Sequence, residues 1–141
     1  FGYEIDVLWF GWSKVDKLDL VFDSLGTSTV NLNYSDRFQI RAGVHYDVNE
    51  KLTLRGGYIY DPTPQPMETM GPLLPDADRH DFSVGLGYKF GKARIDLGYM
   101  MVNWNTRSTV EDGVGKNENN FNGTYDTRAN LFFLSFGYGS L

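Results

Sequence analysis

Residues Asp36–Asp61 read DRFQIRAGVHYDVNEKLTLRGGYIYD, two runs of near-strict alternation joined by a short polar turn. Phe38, Ile40, Ala42, Val44 and Tyr46 share one face of the first run. Arg37, Gln39, Arg41, Gly43, His45 and Asp47 share the other. The second run sets Leu52, Leu54, Gly56, Tyr58 and Tyr60 against Thr53, Arg55, Gly57 and Ile59. A two-residue period places successive side chains on opposite sides of an extended chain, so this segment is an amphipathic β-hairpin. The same reading along the whole chain predicts seven strands, over residues 2–12, 16–23, 36–47, 51–61, 80–90, 93–104 and 126–139. In the last, Leu131 and Phe133 interrupt the alternation of Phe132, Leu134, Phe136 and Tyr138, which calls for a bulge or for packing on both faces.

The connections alternate in length. Tight turns are expected around Ser13–Val15, Val48–Glu50 and Gly91–Lys92, the last a glycine-first hairpin turn. Between them come long polar loops at 24–35, 62–79 and 105–125. Short turns at one end and long loops at the other characterise outer-membrane barrels, whose long loops are extracellular. Aromatics cluster towards both strand ends: Tyr46, Tyr88, Phe90, Phe136 and Tyr138 at one, Phe38, Tyr58, Tyr60, Phe82 and Tyr99 at the other. Two such belts mark the two membrane interfaces. A water-soluble lipocalin-like barrel shares the alternation with its apolar face turned inward. The face opposite the apolar one favours the membrane reading, because Glu4, Asp6, Lys17, Asp19, Arg41, Arg55, Lys89, Arg94 and Asp96 mix both charge signs with glycine, as a narrow polar lumen would.

Composition narrows the classes further. The 141 residues include ten phenylalanines, nine tyrosines and sixteen glycines, a bias towards pleated structure. A net charge of −5 argues against a nucleic-acid partner. There is no cysteine, so disulfides and thiolate metal sites are excluded. Mean hydropathy is −0.37, a value uninformative about membrane strands because half of each is polar. The chain opens directly in strand-like sequence, as a processed product or a fragment would.

With the strands placed, Tyr58–Tyr88 becomes recognisable. YIYDPTPQP followed by LLPDADRHDFSVGLGY resembles the late part of the FadL/TodX-type outer-membrane transporters for long-chain fatty acids and other hydrophobic compounds. The likeness rests on Tyr60, Asp61, Pro64 and Pro66, then on Pro75, Asp76, Asp78 and Arg79, then on Gly85 and Tyr88. KARIDLGYMMVNW and the tryptophan before LDLVF resemble further family strands, so the likeness extends over nearly the whole chain. The resemblance implies an all-β, antiparallel transmembrane barrel of about fourteen strands, of which these seven would be the carboxyl-terminal half. Residues 1–141 are then half of one domain, whose remainder comes from a missing segment or another chain, because open sheet edges cannot be satisfied in lipid. The resemblance also implies passive uptake of fatty acids or related compounds across a Gram-negative outer membrane, with lipid as neighbour, no cofactor and no enzymatic step. A surface-binding, adhesin-like or structural barrel is the alternative.

Candidate site residues follow from chemistry. Arg41, Arg55, Lys89 and Arg94 face the expected lumen. Each either meets a ligand carboxylate, for which arginine's fork is shaped, or is neutralised by Glu4, Asp6, Asp19 or Asp96. His45 reads as a hydrogen-bonding residue of the wall. Met67, Met70, Leu73 and Leu74 make the second long loop apolar, either as a landing surface for acyl chains or as a fold over the barrel mouth. Asp76 and Asp78 are a weak calcium candidate; otherwise Asp78 and Arg79 fix a turn by ion pairing. No nucleophile or second histidine accompanies His80 to suggest catalysis.

Overall fold

The computed structural model describes residues 1–23, 26–72 and 75–139. Six long strands form one antiparallel sheet: β1 (Gly2–Phe10), β4 (Arg37–Asp47), β5 (Leu52–Asp61), β6 (Arg79–Phe90), β7 (Ala93–Trp104) and β12 (Arg128–Tyr138), in that spatial order. The remaining strands are short and lie in the connections. They are β2 (Lys17–Phe22) and β3 (Gly26–Asn31), then β8 (Arg107–Ser108), β9 (Val110–Glu111), β10 (Val114–Gly115) and β11 (Thr124–Tyr125).

This corrects the seven-strand expectation. The segment expected over residues 16–23 does not enter the sheet; β2 pairs with β3 as a separate hairpin, Leu18 opposite Val30 and Leu20 opposite Ser28. A single 3-10 turn, Trp12–Lys14, leads into it. β1 therefore pairs directly with β4, Val7 opposite Ile40 and Trp9 opposite Phe38, and runs opposite to the expected direction. An even sheet results, and the first long connection grows to residues 11–36. The hairpin was missed because GTSTVN lacks aliphatic alternation, although Thr and Val suit strands and Gly26, at φ 82°, supplies the turn. Lys17 and Asp19 thereby leave the expected lumen face; they lie in this hairpin, where Asp19 accepts a bond from Thr29 (2.6 Å).

Register carries one apolar face across all six strands. Tyr3 opposes Val44, Tyr58 lies between Ala42 and Phe82, Leu86 between Leu54 and Leu97, and Leu97 opposes Leu134. Ring contacts tie neighbouring strands at the long-loop end, Tyr58 to Phe82 at 5.1 Å and Tyr99 to Phe132 at 5.2 Å between centroids. Much of this face is left open: Phe132 is 80% exposed, Leu134 76% and Ile40 42%. A water-borne sandwich would bury these residues, since exposing so continuous an apolar face to water is unfavourable. β12 pairs with β7 without a bulge from Arg128 to Tyr138, so Leu131 and Phe133 face the polar side. The strand is regular, so a bulge does not account for them, and Phe133 is 52% exposed on that side.

Fully or nearly buried residues lie mostly in the loops. Met70 and Thr109 are wholly buried, and Thr69 and Asn117 nearly so. All three long connections emerge at one end and interlock. Thr69 Oγ1 donates to the Leu32 carbonyl (2.8 Å), the Ser35 amide to the Pro64 carbonyl (2.9 Å), and Glu118 N to Glu68 O (2.8 Å). Asn117 Nδ2 donates to the carbonyls of both Met67 (3.1 Å) and Met70, while its Oδ1 accepts from the amides of Asn119 (3.0 Å) and Phe121 (3.1 Å). Asn117→Leu strands these buried groups, each worth about 1–3 kcal/mol when unsatisfied. Limited proteolysis is therefore expected to cleave residues 105–127 of this variant faster, with the strands still protected.

A polar wall and a loop-roofed recess

Side chains opposite the apolar face form the candidate site. Arg37, on this face at the top of β4, donates Nε to the Thr63 carbonyl (2.7 Å). Arg107 donates to the Asp76 carbonyl (2.9 Å). The second connection is thus drawn inward over the polar face, which identifies that face as the enclosed one. Beneath it lies a recess of about 470 Å³, walled by Phe10, Trp12, Tyr34, Trp104 and the prolines of the connection. Trp12 meets Tyr34 edge-on at 6.2 Å, and the Arg79 guanidinium lies 5.9 Å from the Trp104 ring. Burial, reinforced by the Asp76 carboxylate, raises the Tyr34 phenol above its ordinary range, so it is a neutral hydroxyl. On the rim, the Ser13 hydroxyl and amide hold Asp36 below the usual carboxylate range. That tie is lost only as pH falls through the lowered value.

Arg79 pairs with Asp61 across β5 and β6 and lies 3.7 Å from Asp81. The expected Asp78–Arg79 pair is therefore replaced. Asp78 Oδ1 accepts from the Thr63 amide (2.8 Å), and Asp76 Oδ2 from the Thr63 hydroxyl (2.6 Å). Both members of the calcium candidate are engaged in bracing the loop. Among the described residues, no group of three or more acidic or histidine side chains is placed to hold a metal.

The four candidate cations separate into different environments. Arg94 grips Asp96 with two bonds of 2.7 Å, and Arg55 Nη1 adds a third at 3.0 Å from β5. This fork-to-carboxylate geometry neutralises two of the four. Lys89 stands opposite Arg94 near the short turn. Arg41 donates to the Oε1 of buried Gln39 (2.5 Å), opposite Asp6 in register, and makes no ion pair among the described residues. His45 Nε2 lies 3.8 Å from Asp47, beyond hydrogen-bond reach.

Below the recess, a concavity of about 630 Å³ runs across the wall. Glu4, His45 and Arg55 line one end, and Met100 and Phe133 the other. Of the apolar loop candidates, Met70 is buried under Asn117 and is a packing residue rather than a landing surface, whereas Met67 is half-buried. Leu73 and Leu74 lie outside the described residues. Sequence reasoning missed Asn117, Thr63 and Gln39. Nothing in the polar run NENN distinguishes Asn117, whose importance is created by a partner fifty residues away.

Comparison with known proteins decides what this wall belongs to. Residues 1–139 match the outer membrane protein transport protein family (OMPP1/FadL/TodX). The chain belongs to that family. It is 33% identical over 135 residues to outer membrane protein P1 of Haemophilus influenzae, covering 90% of this chain and 29% of that protein. It is 28% identical over 129 residues to the long-chain fatty acid transport protein of Escherichia coli K12, covering 90% of this chain and 27% of that protein. A crystal structure of a Pseudomonas aeruginosa FadL homologue superposes with a TM-score of 0.74 at 28% identity, covering 96% of this chain and 32% of that one. The chain thus spans less than a third of these relatives. It is a Gram-negative outer-membrane protein of a transport family, not an enzyme, and its sheet is an arc of a transmembrane barrel. The aromatic and aliphatic face meets lipid and the polar face lines the lumen.

Proposed function

We propose that this chain forms part of a passive, binding-site-mediated path for long-chain fatty acids or related hydrophobic compounds, with the interlocked loops extracellular. The observation that carries this reading is the lumen concavity. It offers an apolar end at Met100 and Phe133, while the wall cation Arg41 makes no ion pair among the described residues. Apolar clefts with a few placed polar groups are the usual form of small-molecule sites. The name of the Escherichia coli relative supports the acyl substrate class. The remaining barrel strands and the outer-membrane lipid are the chain's partners in this reading.

The test uses the full-length protein in outer membranes. Arg41→Gln should weaken binding of a long-chain fatty acid about 10-fold, the size of one charge-assisted hydrogen bond. Binding of the corresponding alcohol should be unchanged. Equal affinity for the acid in both proteins would remove Arg41 from the site.

A further inference from the structure

Glycine in a strand interior costs about 0.5–1 kcal/mol relative to alanine, so its presence usually answers a structural demand. Several lumen-facing glycines show such a demand. A Cβ at Gly57 would fall 2.6 Å from Ser83 Oγ, at Gly87 2.5 Å from Asp96 Oδ1, and at Gly98 3.4 Å from Phe133. Gly43 is different. It sits mid-strand in β4 directly opposite Gly57, its φ is not positive, and a Cβ there would meet nothing within 4 Å among the described residues; Gly137 is equally open but lines neither concavity described below. Neither backbone conformation nor packing requires glycine at this point. What remains is the space above it, since a strand glycine without a local reason marks close approach by a ligand or another backbone.

That space is continuous. Gly43 and Gly57 line both the 630 Å³ concavity and an adjoining one of about 230 Å³ that contains Asp6 and Arg41. The glycine pair is the low saddle between the apolar end of the wall and Arg41. A ligand with its polar group near Arg41 and its apolar body towards Met100 and Phe133 must cross there.

We propose that Gly43 is the position that sets ligand girth in this lumen, the apolar body of the ligand lying directly over its Cα. This rests on the functional reading above and adds a specificity-determining residue to it. Side-chain volume at 43 then controls which ligands pass, bulky ones being excluded first. Gly43 suits the test because a Cβ there meets no atom of the described residues within 4 Å.

The experiment introduces Gly43→Ala, Gly43→Val and Gly43→Leu into the full-length protein. It measures uptake of a linear saturated C16 fatty acid and of a fused-ring acid of similar length. Ala42→Leu, at the same depth on the lipid face, is the control with unchanged uptake. Folded protein is quantified by heat-modifiable gel migration. Expected is a graded loss with volume, steeper for the ring ligand, reaching at least about 10-fold for Gly43→Leu, as a few misplaced methylenes produce. Wild-type uptake of both ligands by a fully folded Gly43→Leu protein overturns the assignment alone. Uptake of neither ligand by the wild-type protein overturns the functional reading and this assignment with it.

Discussion

Leu86→Arg is expected to cost the assembled barrel about 2–4 kcal/mol, the depth-dependent penalty for a cation on the lipid face near the midplane. Leu86 sits between Leu54 and Leu97 at the middle of the apolar face, with Leu134 completing the row. Its surroundings offer no carboxylate, and the guanidinium is too deep to reach either interface fully. A lumen position on the same strand gives the contrast: Ser83→Arg, pointing to the polar side, should cost under about 1 kcal/mol, as surface substitutions do. Urea-dependent unfolding of the full-length protein in lipid vesicles measures both. Similar stabilities for the two variants would mean that the faces have been assigned the wrong way round, and would undo every functional statement above.

The second large effect is expected at Gly87, where the lumen charges interlock. A Cβ there would lie 2.5 Å from Asp96 Oδ1, 2.9 Å from Arg94 Nη2 and 3.0 Å from Arg55 Nη1. The three charged groups occupy the volume that glycine leaves free. Gly87→Val must push Asp96 off both arginines, leaving two part-buried cations without their shared carboxylate. Breaking a coupled pair of this kind is worth about 1–3 kcal/mol, discounted from the fully buried case because these side chains keep partial solvent access. The partners can be tested separately: Asp96→Asn alone should reproduce most of the loss, and adding Gly87→Val to it should cost little more. Full additivity of the two substitutions, measured as unfolding free energies, would show that the triad is not what makes glycine necessary.

The alternation in β4–β7 was legible because period-two patterning is a local property, and register then followed from short turns. The paired strands β4–β5 and β6–β7 stand within a residue or two of their expected bounds for that reason. β2 was equally alternating yet went elsewhere. KLDLVF can satisfy its ladder with a neighbour three residues away or with a distant strand, and periodicity does not distinguish the two. Loop closure favours the nearer partner. The four cations were found from sequence, being charges on a face expected to be enclosed. Their division into a neutralised pair, Arg55 and Arg94 on Asp96, and two cations, Arg41 and Lys89, without an ion pair among the described residues depends on side-chain reach across strands.

Taken alone, the order of residues determined which side chains share a face, where the chain turns tightly, and the family to which YDPTPQP and PDADRHD point. These are consequences of a pleated backbone and of local turn chemistry. Only the folded structure decided that the second long connection is pulled over the lumen by Arg37 and Arg107, that Asn117 fastens it, and that a Cβ at Gly43 would meet none of the described residues. Each of those depends on groups from separate segments meeting in three dimensions, and no local pattern records which of them will meet.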